Sequence, residues 1–280
     1  MKEANVGKRL AIIRRGLTIR NSRGHLNCAV RQPEESDMQF FPNLLAKAGG
    51  NSFTRATLPL DGPVGRHLSL VVAAIPANAA FPLHMHPKSE DAFVVISGSG
   101  HLVGSESTRS ISGLDAVWVP PGNAHGLTTG HEGLLEIGCQ VPPDHVPIEV
   151  PAGQHTPSPR QAVIASIEPC ERIAGKPSWS TVFPASHEQA LQLFSASLSA
   201  SDELLPPSGA SASAIIVIRG AAQFGAYSLR ALGVAVYADE SPVSIRAQEN
   251  DTLLVCLLAF PEMSPSNTRD GANKRRVKRR

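Results

Sequence analysis

The segment that decides the fold is HMHPKSEDAFVVISG, residues 84–98, in which two histidines and two acidic residues precede an apolar run. Successive side chains of a β-strand point to opposite faces, so His84 and His86 offer two imidazoles to the same side of one strand. A carboxylate a few residues on and a histidine from a later strand would complete a set of nitrogen and oxygen donors. Such a set suits iron, manganese, nickel, copper or zinc rather than calcium. The segment therefore predicts a transition-metal site beside a buried strand.

Short apolar runs continue on both sides of this segment. Runs that are rich in valine and isoleucine and separated by glycine, proline and serine are typical of an all-β sandwich or barrel. They are residues 67–75, 92–96, 116–119, 133–141, 191–198, 214–218, 233–237 and 252–260. Within this pattern Gly98-Ser99-Gly100 is interpreted as a hairpin turn, because neither a lysine nor a helix follows it as a phosphate-binding loop would require.

The apolar runs form two sets that resemble each other. Residues 68–73 (LSLVVA) reappear as LQLFSA at residues 191–196, and residues 92–98 (AFVVISG) reappear as AIIVIRG 122 positions later. A third block, AVW at residues 116–118, returns as AVY at residues 235–237, which is an offset of 119. Similar order and spacing at three places indicate an internal duplication, with two stacked barrels as its structural meaning.

A proline-rich segment separates the two sets. Six prolines lie between residues 141 and 160, and because proline cannot donate to a sheet ladder, this segment is expected to be a connector. The predicted domains are a basic, flexible N-terminal segment (1–40), a barrel with the metal site (41–141), a proline-rich linker (142–175), a degenerate barrel (176–263) and a basic, disordered tail (264–280).

Positive charge is concentrated at the two ends of the chain. Residues 1–31 carry eight Lys and Arg, residues 269–280 carry seven, and the remaining 11 of 26 face 22 acidic residues in between. An acidic body, and a basic tail without interleaved aromatic residues, do not favour nucleic acid as a partner. The apolar runs are too short for a membrane helix, and no secretory signal begins the sequence, so a cytoplasmic protein is expected. The four cysteines contain no C-x-x-C pair and therefore predict no thiolate zinc site.

Two stretches match the spacing of known signature motifs. They are H-x-H-x(4)-D-x(6)-G over residues 84–98 and D-x(4)-P-x-G-x(2)-H over residues 115–125. Both resemble the signatures of the cupin superfamily, with Asp91 where the family usually has Glu. The resemblance covers residues 66–141 directly and residues 190–260 through the duplication. It implies a bicupin, in which one all-β chain forms two double-stranded β-helix (jelly-roll) barrels.

The resemblance also implies the ligands of the metal. His84, His86 and His125 correspond to three histidine ligands of the family, and a carboxylate is the fourth. Asp91 keeps the seven-residue step to the glycine of the motif, whereas Glu90 would lengthen that step to eight. A shift of one residue turns a strand side chain to the opposite face, so Asp91 is preferred and Glu90 is the alternative. One divalent transition metal per chain is expected, with iron or manganese favoured over nickel, copper and zinc.

Three further side chains are candidates for the substrate pocket. His101 could act as a general acid or base, with a plain exposed strand histidine as the alternative. Phe93 and Trp118 could form a stacking wall for an aromatic substrate, with core packing as the alternative. No histidine follows His187, so the second barrel is expected to be structural and either to cover a face of the first barrel or to support a homodimer.

These inferences favour metal-dependent catalysis on a small organic molecule. Dioxygenase-type oxidation, with cleavage of a ring or a C–C bond, is the first expectation, because three imidazoles and at most one carboxylate leave coordination positions open for substrate and O₂. Isomerase, decarboxylase or lyase chemistry on the same scaffold is the second. A non-catalytic small-molecule-binding or regulatory cupin is the third, since one fold hosts many functions.

Overall fold

The computed structural model describes residues 38–44, 53–144, 147–151, 160–167, 175–184, 189–238 and 243–260. The chain divides into two compact units, residues 1–32 and 33–280, and every described residue belongs to the second unit. The predictions of a flexible segment before residue 38 and of a disordered tail at residues 264–280 lie outside the described residues.

The described residues form nineteen strands and one four-residue helix, so the all-β prediction is confirmed. The first half contains β1 (Met38–Phe41), β2 (Thr54–Thr57), α1 (Val64–His67), β3 (Ser69–Ile75), β4 (Ala80–Met85), β5 (Glu90–Gly104), β6 (Thr108–Ser112), β7 (Asp115–Val119), β8 (His125–Val141), β9 (Ile148–Glu149) and β10 (Val163–Ser166). The second half contains β11 (Ser180–Thr181), β12 (Leu191–Leu198), β13 (Glu203–Leu204), β14 (Ala212–Arg219), β15 (Ala221–Phe224), β16 (Tyr227–Arg230), β17 (Val234–Ala238), β18 (Ile245–Ala247) and β19 (Thr252–Ala259). Among these elements, no helix has the length and apolarity needed to cross a membrane.

The first barrel is built from a nine-stranded sheet with the path β10-β7-β5-β8-β3-β2. Strands β5 and β8 are long and bent: the first part of β5 pairs with β7 and its last part with β6, while β8 follows it throughout. The bend lies at Gly98, whose φ is +85° and where a Cβ atom would come within 2.1 Å of the Gly133 carbonyl oxygen. The predicted hairpin turn at residues 98–100 is therefore wrong, because these glycines let one strand change direction without ending it.

The second barrel consists of a six-stranded sheet, β1-β17-β14-β19-β12-β11, and a four-stranded sheet, β13-β18-β15-β16. Strand β14 (ASAIIVIR) is rich in β-branched residues, and nearly all of its side chains are buried. Ile215 and Val217 fill the interior of the second barrel, whereas Ala214 and Ile216 point the other way. This two-sided burial explains why the strand is a continuous apolar run instead of an alternating one.

The two barrels pack against each other through sheet faces. The largest cluster of buried side chains joins Leu70 and Val94 of the first barrel with Ile216 and Val255 of the second. The second barrel therefore covers an apolar face that would otherwise be exposed to water.

Two strands change the predicted domain boundaries. Strand β1, which was assigned mostly to the N-terminal segment, pairs with β17 of the second barrel and places Met38 and Phe40 against its core. Strand β10, which was assigned to the linker, pairs with β7 of the first barrel. Both strands have only four residues, and their partners are distant in sequence, so no local pattern marked them.

The structure corrects the register of the duplication by one residue. Ala92 pairs with Trp118 in the first barrel, and Ala214 pairs with Val236 in the second. The offset is thus 122 from β5 to β14 but 118 from β7 to β17, and the predicted offset of 119 is wrong. The counterpart of Trp118 is Val236 instead of Tyr237. A one-residue change of offset exchanges the interior and exterior faces of a strand, so it decides which side chains of the two barrels are equivalent.

Candidate metal centre

Four of the predicted ligands lie together in the first barrel. His84 is in β4, His86 follows that strand directly, Asp91 is in β5 and His125 begins β8. One donor atom from each side chain lies within 4.8 Å of the other three donor atoms, and each residue is at most 9% exposed. His84 and His86 are two residues apart and therefore point to the same face of the sheet. His125 pairs with His84 across β4 and β8, which places the third imidazole beside the first two.

Backbone carbonyls set the protonation of two imidazoles. The Nδ1 atom of His84 lies 2.9 Å from the carbonyl oxygen of Pro82, and the Nδ1 atom of His125 lies 3.1 Å from that of Asn123. Because a carbonyl oxygen can only accept a hydrogen bond, each Nδ1 atom carries the proton and each Nε2 atom keeps its lone pair. This is the arrangement in which protein histidines ordinarily bind metals.

His86 is oriented by polar side chains. Its Nε2 atom lies 3.1 Å from the amide nitrogen of Gln140 and 3.6 Å from a carboxylate oxygen of Asp91. The Ser69 hydroxyl donates to the amide oxygen of Gln140 at 3.3 Å, which turns the amide nitrogen towards His86. On the other side of the ring, Nδ1 lies 3.5 Å from a carboxylate oxygen of Asp144. Nε2 therefore carries the lone pair, which accepts the N–H of Gln140 in the metal-free protein, and the ring proton lies on Nδ1, towards Asp144.

Electrostatics favour a neutral imidazole pair beside an ionised carboxylate. Burial, followed by the neighbouring His125, lowers the pKa of His84 to about 4, and burial also lowers the pKa of His86. Burial alone would raise the pKa of Asp91, but His125 Nε2 at 3.2 Å, which donates a hydrogen bond when that imidazole is protonated, and the positive charges that the histidines carry when protonated outweigh burial and lower that pKa. At neutral pH the cluster thus presents lone pairs and a negative charge, which are what a divalent cation requires.

Glu90, the alternative carboxylate, points away from the cluster. Its carboxylate accepts hydrogen bonds from the backbone N–H groups of Ala190 and Leu191 at 2.8 and 2.9 Å and from the indole of Trp118 at 3.0 Å. Glu90 and Asp91 are neighbours on one strand and must face opposite sides. Glu90 therefore links the first barrel to the start of β12 in the second, and of the two candidate carboxylates only Asp91 lies with the histidines.

A cavity lies beside the cluster, inside the first barrel. Phe93 and Phe81 contribute aromatic walls, and the Phe81 ring contacts His84 edge-on with 4.7 Å between ring centroids. Trp118 does not line this cavity, so its prediction as a pocket residue is wrong. Its neighbours Val117 and Val119 face the interior of the first barrel, and strand alternation therefore turns Trp118 to the other face, where it packs in the core between the barrels.

His101 lies on the exposed side of β5, between inward-facing neighbours. It is absent from the cavity wall, and the structure does not bring it together with the cluster. Strand alternation again explains the outcome, since Leu102 fills the barrel interior and its neighbour must face solvent.

Three polar residues of the cavity wall were missed by the sequence analysis: Arg55, Glu136 and Gln140. The run at residues 133–141 was interpreted only as apolar, yet it carries polar side chains at alternate positions on either side of Gly138. Alternation of this kind within a buried strand signals a polar interior wall and could have identified Glu136 and Gln140. No comparable signal marked Arg55, which lies in the four-residue strand β2.

Comparison with known proteins identifies the fold. No family model matches the chain, and no curated protein matches it in sequence. Among solved structures, a bacterial pirin from Escherichia coli in complex with nickel(II) shares 14% identity over 79% of this chain and 99% of its own, with a TM-score of 0.57. A variant of salicylate 1,2-dioxygenase from Pseudoaminobacter salicylatoxidans in complex with gentisate shares 12% over 84% and 85%, with a TM-score of 0.61. A cupin 2 conserved barrel domain protein from Leptotrichia buccalis shares 11% over 79% and 96%, with a TM-score of 0.53. With two barrels on one chain and the metal-site motifs in the first, the protein has the fold of the cupin superfamily in its bicupin form.

Proposed function

We propose that the protein is a metal-dependent enzyme of the dioxygenase type that acts on a small organic molecule in the first barrel. The observation that carries the proposal is the buried cluster of His84, His86, Asp91 and His125, whose donor atoms lie within 4.8 Å of one another at the edge of a cavity. These four side chains would hold one divalent transition metal, with iron or manganese favoured. When bound, such a metal supplies Lewis acidity and one-electron chemistry towards O₂.

The residues around the cluster would prepare the site for this chemistry. Asp144 lies 3.5 Å from Nδ1 of the His86 ring and keeps the proton on that atom, so the Nε2 lone pair, which accepts from Gln140 in the metal-free protein, would be the one that binds a metal. Phe81 and Phe93 provide flat apolar surfaces on which a planar substrate could stack, and they exclude water from the cavity. A solved structure of the same fold, the salicylate 1,2-dioxygenase variant, binds gentisate, which supports the choice of a small aromatic or enolic substrate.

Metal analysis followed by oxygen uptake tests the proposal. The full chain would be purified without added metal, its metal content measured by inductively coupled plasma mass spectrometry, and O₂ consumption recorded with dihydroxyaromatic compounds and β-diketones. About one iron or manganese per chain together with O₂ consumption is the expected result. Stoichiometric zinc without O₂ consumption would contradict the dioxygenase assignment, and absence of any bound metal would favour the binding or regulatory alternative.

One observation favours isomerase, decarboxylase or lyase chemistry as a second candidate. Burial, followed by the charge of Asp91, raises the pKa of Glu136 to about 8, so this cavity residue can both donate and accept a proton near neutral pH. Reactions of this class need no O₂. Turnover of the same substrates under argon would therefore identify this alternative.

The homodimer, the cytoplasmic location and the lack of nucleic-acid binding stay predictions. Sedimentation velocity of the full chain would test the first of them, and a filter-binding titration with duplex DNA would test the last.

A further inference from the structure

At the end of the cavity away from the four ligand side chains, the wall carries two charged side chains in one row. Arg55 pairs with Ala73, Ala73 pairs with Glu136, and Glu136 pairs with Val95, so these residues lie opposite one another across β2, β3, β8 and β5. Directly paired residues share a face of the sheet, and both Arg55 and Glu136 line the cavity. The interior of the first barrel therefore has a second polar end.

The two polar ends are separated by a short apolar gap. Gln140, beside the cluster, and Glu136 lie four residues apart on β8, which corresponds to about 13 Å of strand. The residue between them on the same face is Gly138, where a Cβ atom would meet nothing closer than 3.7 Å. Phe93 pairs with Gly138 and faces this gap. Because Gly138 has no side chain, the two polar ends are joined by an apolar stretch of wall against which a small ring would pack.

Glu136 has an unused polar atom at this end of the cavity. Its Oε2 atom is buried and has no hydrogen-bond partner among the described residues. An unsatisfied buried polar atom costs free energy, so a ligand that pairs with it is favoured. Burial raises the pKa of Glu136 to about 8, which leaves the carboxyl group largely protonated at neutral pH and able to donate a hydrogen bond.

The charges of the cavity favour an anion at this position. Arg55 contributes a permanent positive charge, and no described residue forms an ion pair with it within 4.0 Å. A divalent metal and Arg55 together carry three positive charges against at most two carboxylates in the cavity lining, those of Asp91 and Glu136, so the occupied cavity carries a net positive charge. A guanidinium group recognises a carboxylate through paired N–H donors, and a protonated carboxyl group adds a third donor.

We propose that Arg55 and Glu136 bind a carboxylate of the substrate, so that the site accepts small aromatic or enolic acids whose metal-binding oxygens and carboxylate lie at opposite ends of one ring. This inference rests on the proposed function, and it names the substrate class of the same site. It assigns Arg55 and Glu136 to substrate specificity and leaves metal binding to the cluster at the other end.

A matched pair of catechols tests the assignment without turnover. The probes are 3,4-dihydroxybenzoate and 4-methylcatechol, which share the metal-binding oxygens and differ by a carboxylate in place of a methyl group at the opposite side of the ring. Calorimetric titrations of the nickel-loaded full chain under argon would give both dissociation constants. The wild type is expected to bind the acid at least about 10-fold more tightly than the methyl compound.

Variants then identify the residues responsible. Arg55→Met should weaken binding of the acid by about 10-fold and change binding of 4-methylcatechol by less than about twofold, with nickel content unchanged. Glu136→Leu should weaken binding of the acid in the same way, whereas Glu136→Gln, which keeps a donor, should retain most of it. Arg246→Met serves as the matched control, because Arg246 is exposed on the second barrel.

The outcomes separate this inference from the proposed function. Equal affinity of the wild type for both catechols, or an unchanged preference in Arg55→Met, would overturn the role of Arg55 and Glu136 and leave the metal site and its chemistry standing. Nickel binding without affinity for either catechol would overturn both the inference and the proposed class of substrate. Failure to bind nickel would overturn the proposed metal centre itself.

Discussion

The first barrel has a polar, open interior, whereas the second barrel fills the equivalent positions with apolar side chains. The strand pairings fix the equivalent positions, with an offset of 118 between β8 and β19 and of 122 between β5 and β14. The replacements from the first to the second barrel are Asp91 to Ser213, Phe93 to Ile215, Glu136 to Leu254, Gly138 to Cys256 and Gln140 to Leu258. All five residues of the second barrel are buried, and four of them lie in its core.

Despite these differences, the backbones of the two barrels share unusual features at matching places. A register shift after Val95 in β5 recurs after Val217 in β14, at an offset of 122. Leu114 and Leu232 both adopt positive φ angles, of 71° and 67°, although leucine rarely does so. The comparison shows that alternation and local bends maintain the barrel shape, while a few interior residues decide whether the barrel contains a site or a packed core.

The corrected register also changes the counterpart of the third histidine. With the offset of 118, the residue of the second barrel that is equivalent to His125 is Val243, whereas an offset of 119 gives Ser244. Val243 packs against the core of the second barrel. At the position of the third histidine ligand, the second barrel therefore has an apolar residue, as expected for a barrel in which only packing is retained.

The largest effect is expected when the first barrel receives the residue of the second at a ligand position. His125→Val should lower metal affinity by at least about 100-fold, because loss of an outer hydrogen-bond partner alone costs 10–100-fold. Competition with a chelating dye measures the affinity, and circular dichroism should show an unchanged β signal. His101→Ala removes an exposed histidine of the same barrel and is the control. Full metal affinity in His125→Val would remove it from the ligand set.

Glu90→Ala tests the connection between the barrels, since Ala212 occupies the matching position of the second barrel. The substitution leaves two backbone N–H groups and one indole N–H group buried without acceptors, so the free energy of unfolding should fall by about 3–5 kcal/mol. Urea unfolding of the metal-free protein measures this loss. Trp118→Phe removes one of the three hydrogen bonds and part of a side chain that packs between the barrels, so it should cost about 1–2 kcal/mol. A similar loss in both variants would show that Glu90 does not hold the barrels together.

Gly138→Cys would reproduce the packing of the second barrel at the centre of the cavity. The added Cβ atom meets its nearest neighbour at 3.7 Å, so the barrel should fold with its stability changed by about 1 kcal/mol or less. The cysteine side chain would occupy the part of the cavity in which we propose that the substrate ring binds. Binding of 4-methylcatechol to the nickel-loaded protein should therefore weaken at least about 10-fold. Metal content should stay unchanged. Undiminished catechol binding would place the substrate elsewhere.

Glu136 should make the stability of the metal-free first barrel dependent on pH. Its folded-state pKa of about 8 lies above the ordinary value of 4.5, so the folded protein holds the proton more tightly than the unfolded chain. The stabilisation from the protonated form is complete below about pH 4.5 and is lost as pH rises through 8. Glu136→Gln should therefore reduce the loss of stability between pH 6.5 and 8.5 by about 2 kcal/mol. Urea midpoints across this range measure it.

The control for this pH series is Glu132→Gln, because the Glu132 side chain is 63% exposed on the same strand. Its midpoints should follow those of the wild type at every pH. If Glu136→Gln did the same, the carboxyl group would not carry the raised pKa on which its role as a hydrogen-bond donor depends.

The smallest effect is expected in the second barrel. Ser213 stands where Asp91 stands in the first barrel, and its buried hydroxyl lies close to that of Tyr237. Ser213→Ala should cost about 1 kcal/mol of stability and leave metal content at one equivalent per chain. Loss of metal in this variant, or tight binding of a second equivalent by the wild type, would reveal a site in the second barrel.

Much of the metal centre could be predicted because its residues are encoded at short range. His84, His86 and Asp91 come from the end of β4, the residues after it and the start of β5, and the seven-residue step to the glycine of the cupin-like motif, together with strand alternation, separated Asp91 from Glu90. The same argument would have excluded Trp118, had the phase of β7 been known. The sequence does not show which residues of β7 face the interior of the first barrel and which face the second barrel. The strand carries apolar residues on both faces, so its hydrophobic pattern is the same for either assignment.

By itself, the sequence determined that the protein is all-β, that it is duplicated, and that one copy carries histidines and a carboxylate at the spacing of a metal site. Only the tertiary structure decided which faces those strands present, that Glu90 joins the two barrels, and that Arg55 and Glu136 form a second polar end of the cavity. The physical reason is the range of the interactions involved. Alternation and turn chemistry act over a few residues, whereas the phase of a strand buried on both faces and the partners of a cavity residue depend on chain segments tens of positions away.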